Sequence, residues 1–426
     1  MTLTFHPARV ALASIVFDER IYPRKQHSPA LVQRYAACIA EIEAHGNYIS
    51  IAADGRLIDG RHRHLAYLTA YAADLSIEIP VIVYDVTDDD ALFDLAAESN
   101  SMHGDQMQED DKRRAAIRMY SRANRLPQEE IARLLAVSKS RVNGWLKATI
   151  DQEREEREER IWQMWLACHT QDAIAQAVNE DPMTVNRFLQ KNREKYSEGD
   201  SLFFRNFEPK VYTVWNFDKA TNAVRHFGNI PPEVLDNLLY YYTQPFDVVF
   251  DPFAGGGMAL DVCETRLRRC YASDLTPIPA RMGQIREWDI TAGLPDDLPV
   301  PDFVFLDPPY WKQAEERYSD KSTDLANIGL DTFITTIGDV AKQVKRKWSN
   351  NRPNGKLALI IGPYKKAGTY IDLAFLCYQA IAKYLTPVIR IQVPYSTQVH
   401  GGAYVAQAKT AKQMLYLSRD LLVFGP

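Results

Sequence analysis

The sequence predicts a mixed α/β protein whose C-terminal half is a doubly wound sheet, preceded by a smaller α+β region and helix-turn-helix segments. Three observations predict this. From about residue 203 onward, short apolar runs alternate with helical segments, the pattern of parallel strands and their crossovers. Residues 1 to about 105 mix short apolar runs with amphipathic stretches, and residues 126–147 read as two short helices joined by a tight turn. A chain of 426 residues is too long for one ordinary core. The expected divisions are 1–108, 109–150, 151–200 and 201–426.

Composition narrows the function classes. With 46% hydrophobic and 25% charged residues the chain is globular in kind. It has no run of about 18 apolar residues, and its N-terminus has neither a basic start nor a continuous apolar block. A soluble, cytoplasmic protein without a membrane partner is expected. Five scattered cysteines with no CxxC pair argue against a zinc site and against a disulfide framework, so they are read as packing residues and no metal is expected. The net charge of −5 conceals a local bias: Lys112–Lys147 holds ten Lys/Arg against two Glu, or +8. Such a block is the electrostatic footprint of phosphate binding if it lies on one face, and a solvated helix surface if it does not.

In chain order, Tyr48–Ile58 reads as a hairpin turning at Asp54-Gly55, with a helix starting just after Gly60. Gly60, Arg61 and Arg63 then sit at a strand-to-helix turn, where free N–H groups and two guanidiniums converge on an anion. The stretches "YPRK" (22–25), "LIDGRHRHLA" (57–66) and "ESNSMHG" (98–104) resemble the ParB N-terminal domain over about 110 residues. In that family a related box holds the phosphates of a nucleotide triphosphate. The resemblance therefore implies such a ligand at Gly60, Arg61 and Arg63, although "DGRHR" is a diverged form. The other reading is that the arginines brace the domain or touch DNA.

Next, Pro127 opens a helix with Ile131, Leu134 and Leu135 on its buried face. Ala136-Val137-Ser138 makes the turn into a second helix, whose exposed residues are Lys139, Ser140, Arg141 and Asn143. This is a helix-turn-helix with polar and basic side chains where a recognition helix meets DNA. A weaker second copy is expected at 170–190, with Ile174, Ala177, Val185 and Phe188 as its core. Between them, Glu153–Arg157 and Glu156–Arg160 have the i,i+4 spacing of an exposed connecting helix, and 191–201 reads as a linker.

In the C-terminal half, "FDPFAGGG" (250–257) puts Asp251 at a strand end, followed by Gly255, Gly256 and Gly257, which let the backbone approach a ligand. Asp274 ends the next strand, where a carboxylate can take both hydroxyls of a ribose. Asp289 lies where a third strand should end and could accept from an adenine amino group. There is no Gly-x-Gly-x-x-Gly and no Walker lysine, so a dinucleotide or a triphosphate fits this half poorly.

"DPFAGGG" followed by "DPPY" (307–310) resembles the amino-methyltransferases that act on DNA bases with S-adenosylmethionine, over roughly 210–426. The upstream stretch 224–239 and the C-terminal stretch 398–424 resemble that family's cofactor-flanking motif and closing hairpin. The resemblance implies a Rossmann-like fold, with Asp251, Phe253, Gly255, Gly257, Asp274 and Asp289 binding the cofactor and Asp307, Pro308, Pro309 and Tyr310 catalytic. An exocyclic amine is a poor nucleophile because its lone pair is delocalised. Asp307 can accept one amino hydrogen, the Pro308 carbonyl the other, Pro309 helps fix that carbonyl, and Tyr310 offers a stacking face for a flipped base. Asp at the first position is mostly found in adenine enzymes of the family, whereas the "NPPY" form methylates protein glutamine. Adenine N6 is therefore expected before cytosine N4.

The catalytic half leaves no room for a sizeable target-recognition insert, so the N-terminal half is expected to read DNA. The partners expected are DNA and a second copy of the chain in a homodimer. The rival classes are a non-catalytic partition or regulatory protein with a degenerate sheet, and an RNA amino-methyltransferase, which the helix-turn-helix disfavours.

Overall fold

A computed structural model of the protein describes all residues except 1–3, 26, 103–106, 197–206, 218–229, 310, 312–320, 350–351, 367–368 and 395–400. The chain divides into two compact units, Met1–Glu156 and Arg157–Pro426. The boundary expected at 200/201 lies outside the described residues.

The first unit is α+β. Strands β1 (Phe5–Ala11), β2 (Ile49–Ala52), β3 (Leu57–Asp59) and β4 (Glu78–Tyr84) form one sheet in the order β1-β4-β2-β3. The hairpin expected at 48–58 is β2–β3, and Gly55 at its turn has φ +86°, a conformation that suits glycine. After β1, Leu12 and Ile15 fill the core from the turn that follows. Helices α1 (Pro29–Ala37), α2 (Ile39–Ala44) and α3 (Arg61–Ala70) complete this core.

Helices α4 (Asp89–Met102), α5 (Glu109–Ser121), α6 (Gln128–Leu134) and the start of the long helix α7 (Lys139–Leu166) build a second, helical core. Within it Ile131, Leu134 and Leu135 are buried as expected, joined by Val142 and Leu146 from α7. Ser138 caps α7 by accepting from the Arg141 N–H at 3.2 Å. The helix-turn-helix is thus present, with Lys139, Ser140, Arg141 and Asn143 exposed.

The second unit begins inside α7. Helices α8 (Gln171–Val178) and α9 (Pro182–Tyr196) pair through Ile174, Ala175, Val185 and Leu189. Ala175 and Leu189 replace the expected Ala177 and Phe188 as the most buried positions, because the helix phase turns Ala177 to solvent and leaves Phe188 only partly covered. These helices are not free-standing. Trp165 and Trp162 pack against Phe246, and Arg269 and Arg286 donate to the Trp165 and Ala167 carbonyls at 3.1 and 3.0 Å.

The remainder is a seven-stranded sheet flanked on both faces by helices. Its strands are β5 (Val248–Asp251), β6 (Arg269–Asp274), β7 (Arg286–Glu287), β8 (Phe303–Leu306), β9 (Lys356–Ile361), β12 (Thr386–Pro394) and β13 (Ser418–Gly425); a separate hairpin, β10 (Tyr364–Lys366) and β11 (Thr369–Ile371), follows β9. The order is β12-β13-β9-β8-β5-β6-β7, and every neighbouring pair from β9 to β7 is parallel. Only β13 runs antiparallel to its neighbours. Helices α10 (Pro232–Tyr242) and α11 (Met258–Thr265) cover one face; α12 (Leu330–Trp348) and α13 (Leu373–Ile381) cover the other. α14 (Gly402–Thr410) lies between β12 and β13 in sequence. This is the expected doubly wound, Rossmann-like α/β fold.

Buried strands β5, β8 and β9 are nearly continuous apolar runs, as a sheet covered on both faces requires. The chain proceeds outward from β5 to β6 and β7, then returns to β8 on the other side of β5. That reversal opens a crevice beyond the carboxyl ends of β5 and β8.

Candidate active site

The crevice is a cleft of about 940 Å³, counting its part open to solvent. Asp251, Phe253, Gly255, Asp274, Asp289, Asp307 and Pro309 all line it. Each is placed there by the same rule: it ends a strand or lies within four residues of a strand's carboxyl end. Residues expected from three separate motifs therefore share one site.

The glycine turn is tied to the next strand. The Gly255 N–H donates to Asp274 Oδ2 at 2.8 Å, and the Thr276 N–H donates to Asp274 Oδ1 at 2.9 Å. Both Asp274 oxygens thus help fix the loop, while each retains capacity for a second hydrogen bond from a ligand. Gly255 has φ +49° and Gly257 +84°. Gly257 does not line the cleft. It starts α11, and a Cβ there would come within 3.0 Å of the Arg281 side chain, which pairs with Asp261 at 2.6 Å.

Asp289 accepts from both the N–H and the hydroxyl of Thr291 at 2.9 and 2.7 Å. Burial opposes its charge, but hydrogen bonds from Thr291 and Thr323 outweigh that and lower its pKa. Asp251 is deeply buried. Burial raises its pKa well above the usual carboxylate range, against the hydrogen bond from the Phe253 N–H, and the nearby charges of Asp307 and Asp274 add to the rise.

Asp307 follows β8 directly. Burial pushes its carboxyl up to about 7, opposed by the charge of Arg419. Pro308 is buried and Pro309 faces the cleft. Tyr310, like most of the segment that follows, lies outside the described residues.

Sequence reasoning missed several cleft residues. Trp288, beside Asp289, could have been found, because a large ring next to an acidic acceptor suits a purine. Thr323, Asp324 and Leu325 carry no local signal: they come from an irregular segment after 312–320. Asp324 is only 3% exposed and accepts from the Ala326 N–H at 2.9 Å.

A second pocket, in the first unit, encloses about 1110 Å³ including its open part. Arg24, Lys25, Arg61, Arg114 and Arg118 line it against a single acid, Glu19. The Arg61 guanidinium lies 3.2 Å from the Phe17 ring centroid, and its buried Nη1 has no hydrogen-bond partner among the described residues. Arg63 turns the other way. It donates to the Asn47 and Tyr48 carbonyls at 2.9 and 2.8 Å and to Asp59 at 2.9 Å, so it braces the turn that Gly60 opens at φ +94°.

The basic block of the helix-turn-helix is largely paired. Arg122 meets Asp94, Arg125 meets Glu153, Arg133 meets Glu98 and Glu130, Lys139 meets Glu129, and Arg141 meets Glu109 at 3.0 Å. Several of these acids lie outside the stretch that counted +8. The Lys139 and Arg141 pairs are well exposed, so they are worth little to stability.

The family model described as DNA methylase matches residues 100–277, a span that takes in the helix-turn-helix, β5, the glycine turn and Asp274 and ends before Asp307. By that match the chain resembles the DNA methylases. It is 35% identical over 65 residues to the Type II methyltransferase M.XycI of Xanthomonas campestris pv. cyanopsidis, a stretch covering 15% of this chain and 22% of that protein. The chain thus spans about a fifth of the length of this curated relative. Among solved structures, a Pnob8-like ParB-N domain is 14% identical, covering 34% of this chain and 70% of its own, at a TM-score of 0.27. The 1,6-didemethyltoxoflavin-N1-methyltransferase of Burkholderia thailandensis, solved with S-adenosylhomocysteine, is 17% identical, covering 46% and 77%, also at 0.27. No helix among the described residues is long and apolar enough to cross a membrane.

Proposed function

We propose that the protein is a site-specific DNA methyltransferase that transfers a methyl group from S-adenosylmethionine to the exocyclic amine of a flipped base, adenine N6 before cytosine N4. The observation that carries this reading is the convergence of Asp251, Asp274, Asp289 and Asp307 with the Gly255 turn in a single cleft at the sheet's switch point. The donor set suits the cofactor. Asp274 has acceptor capacity for ribose hydroxyls, Asp289 is held ionised for an amine or hydroxyl, and Phe253, Trp288 and Ile290 supply apolar walls for a purine.

When bound, S-adenosylmethionine supplies an electrophilic methyl group on a sulfonium. The chain's own task is positioning. Asp307, in its ionised form, accepts a hydrogen bond from the amine and draws the nitrogen toward tetrahedral geometry, and the Pro308 carbonyl takes the second amino hydrogen. Asp307 would also be placed to take the surplus proton of the methylated nitrogen, directly or through water. Aspartate at this position supports adenine. Methylated-base mapping by long-read sequencing of DNA from expressing cells tests the reading: N6-methyladenine in a fixed context is expected, and unmodified DNA refutes it.

The first unit supplies the DNA reader in this proposal, through the exposed Lys139, Ser140, Arg141 and Asn143. Its five-cation pocket supports a second ligand, a nucleotide triphosphate held by Arg61 and its neighbours, with Arg63 bracing the turn. We propose further that the enzyme acts as a homodimer in the cytoplasm.

A further inference from the structure

We propose that Arg419 is a positioning residue of this active site, reaching across an intervening strand to supply the buried positive charge that Asp307 faces; the inference rests on the methyltransferase reading. Phe303 and Phe305 of β8, Ala358 and Ile360 of β9, and Leu421 and Val423 of β13 belong to one apolar cluster and hence one face of the sheet. Strand alternation sets Asp307 and Arg419 next in line on that face. In register, Leu306 pairs with Leu359 and Ile361 with Asp420, so Asp307 lies beside Ile360 and Arg419 beside position 362.

On β9, Ile360 stands level with Asp307, and Gly362, which has no side chain, stands level with Arg419. Two strand spacings and a two-residue offset along the strands separate the backbones by about 12 Å, a gap across which an arginine and an aspartate side chain together bring their charges close. Arg419 is 5% exposed, unlike the solvated cations common at strand ends.

The charge balance of the cleft explains the need. Burial alone pushes Asp307 toward its neutral form, and Asp251, Asp274, Asp289 and Asp324, which line the same cavity, offer it no counter-charge. Arg419 is the cation whose charge acts on Asp307 against burial. Without it, Asp307 would hold its proton through neutral pH and lose its acceptor role.

The test is nuclear magnetic resonance of the full chain carrying carboxyl-labelled aspartate, with the Asp307 signal assigned by its loss in Asp307→Asn. Arg419→Gln should move the Asp307 titration up by at least about one pH unit, while Arg419→Lys should stay close to wild type. An unchanged titration in Arg419→Gln overturns the proposal. If that variant does not fold, the double variant Arg419→Gln/Asp307→Asn should recover melting temperature, and absence of recovery overturns it equally. The acid limb of the methylation rate should move with the titration. A wild-type chain that methylates no DNA, while the titration still follows Arg419, refutes the methyltransferase reading and leaves the positioning role standing.

Discussion

Replacing Asp307 by asparagine keeps the side chain's shape and removes its charge, which sets catalysis and stability in opposition. Burial moves the carboxyl from an ordinary 3.8 to about 7. At about 1.4 kcal/mol per pH unit this corresponds to roughly 4 kcal/mol, which we reduce to about 2–4 because the side chain opens onto the cleft. The sign follows from the raised value. The folded state holds the proton more tightly than the unfolded chain, so the contribution is fully present below about pH 4 and is lost as pH rises through 7. Asp307→Asn carries no such loss. Urea unfolding of both proteins between pH 4 and 9 should show the variant gaining on wild type up to about pH 7 and holding a constant lead above it, while methyl transfer is abolished. Parallel stability curves would refute the burial argument, and retained methylation would refute the acceptor role.

Asp274→Ala should weaken S-adenosylhomocysteine binding by about 1–3 kcal/mol in calorimetry, since it removes an acceptor and frees the Gly255 turn. Arg141→Ala should weaken DNA binding and lower the salt dependence by about one phosphate contact, or relax sequence choice if the side chain reaches a base. Arg61→Ala should abolish nucleotide triphosphate binding to the first unit, whereas Arg63→Ala should lower the melting temperature, because three hydrogen bonds anchor it to the fold. A fragment beginning at residue 157 should melt higher than one beginning at 201, because the latter strips the Trp165 and Ala167 contacts from Arg269 and Arg286.

Asp251, Asp274 and Asp307 were legible because a parallel sheet gathers its strand ends, so a carboxylate that closes an apolar run is bound for the crevice wherever it falls in the chain. The helix-turn-helix was legible for a similar reason: its turn and its buried face are local. What was hidden depends on pairings distant in sequence. The +8 count missed Glu98, Glu109 and Glu153, which approach the basic helices only after folding and neutralise side chains that read as bare. Thr323 and Asp324 reach the cleft from an irregular segment without period or motif.

Arg419 shows the limit most clearly. An arginine at the start of a C-terminal strand reads as a solvated strand end. Its meaning depends on sheet order: β13 must insert antiparallel between β12 and β9, which brings Arg419 level with Gly362 and one residue pair beyond Asp307. The carboxylate proposed as catalytic is written locally in "DPPY", but the charge proposed to keep it ionised sits on a strand more than a hundred residues later. Variation at Arg419 or Gly362 should therefore change the pH range of the reaction without touching any motif by which the site is recognised.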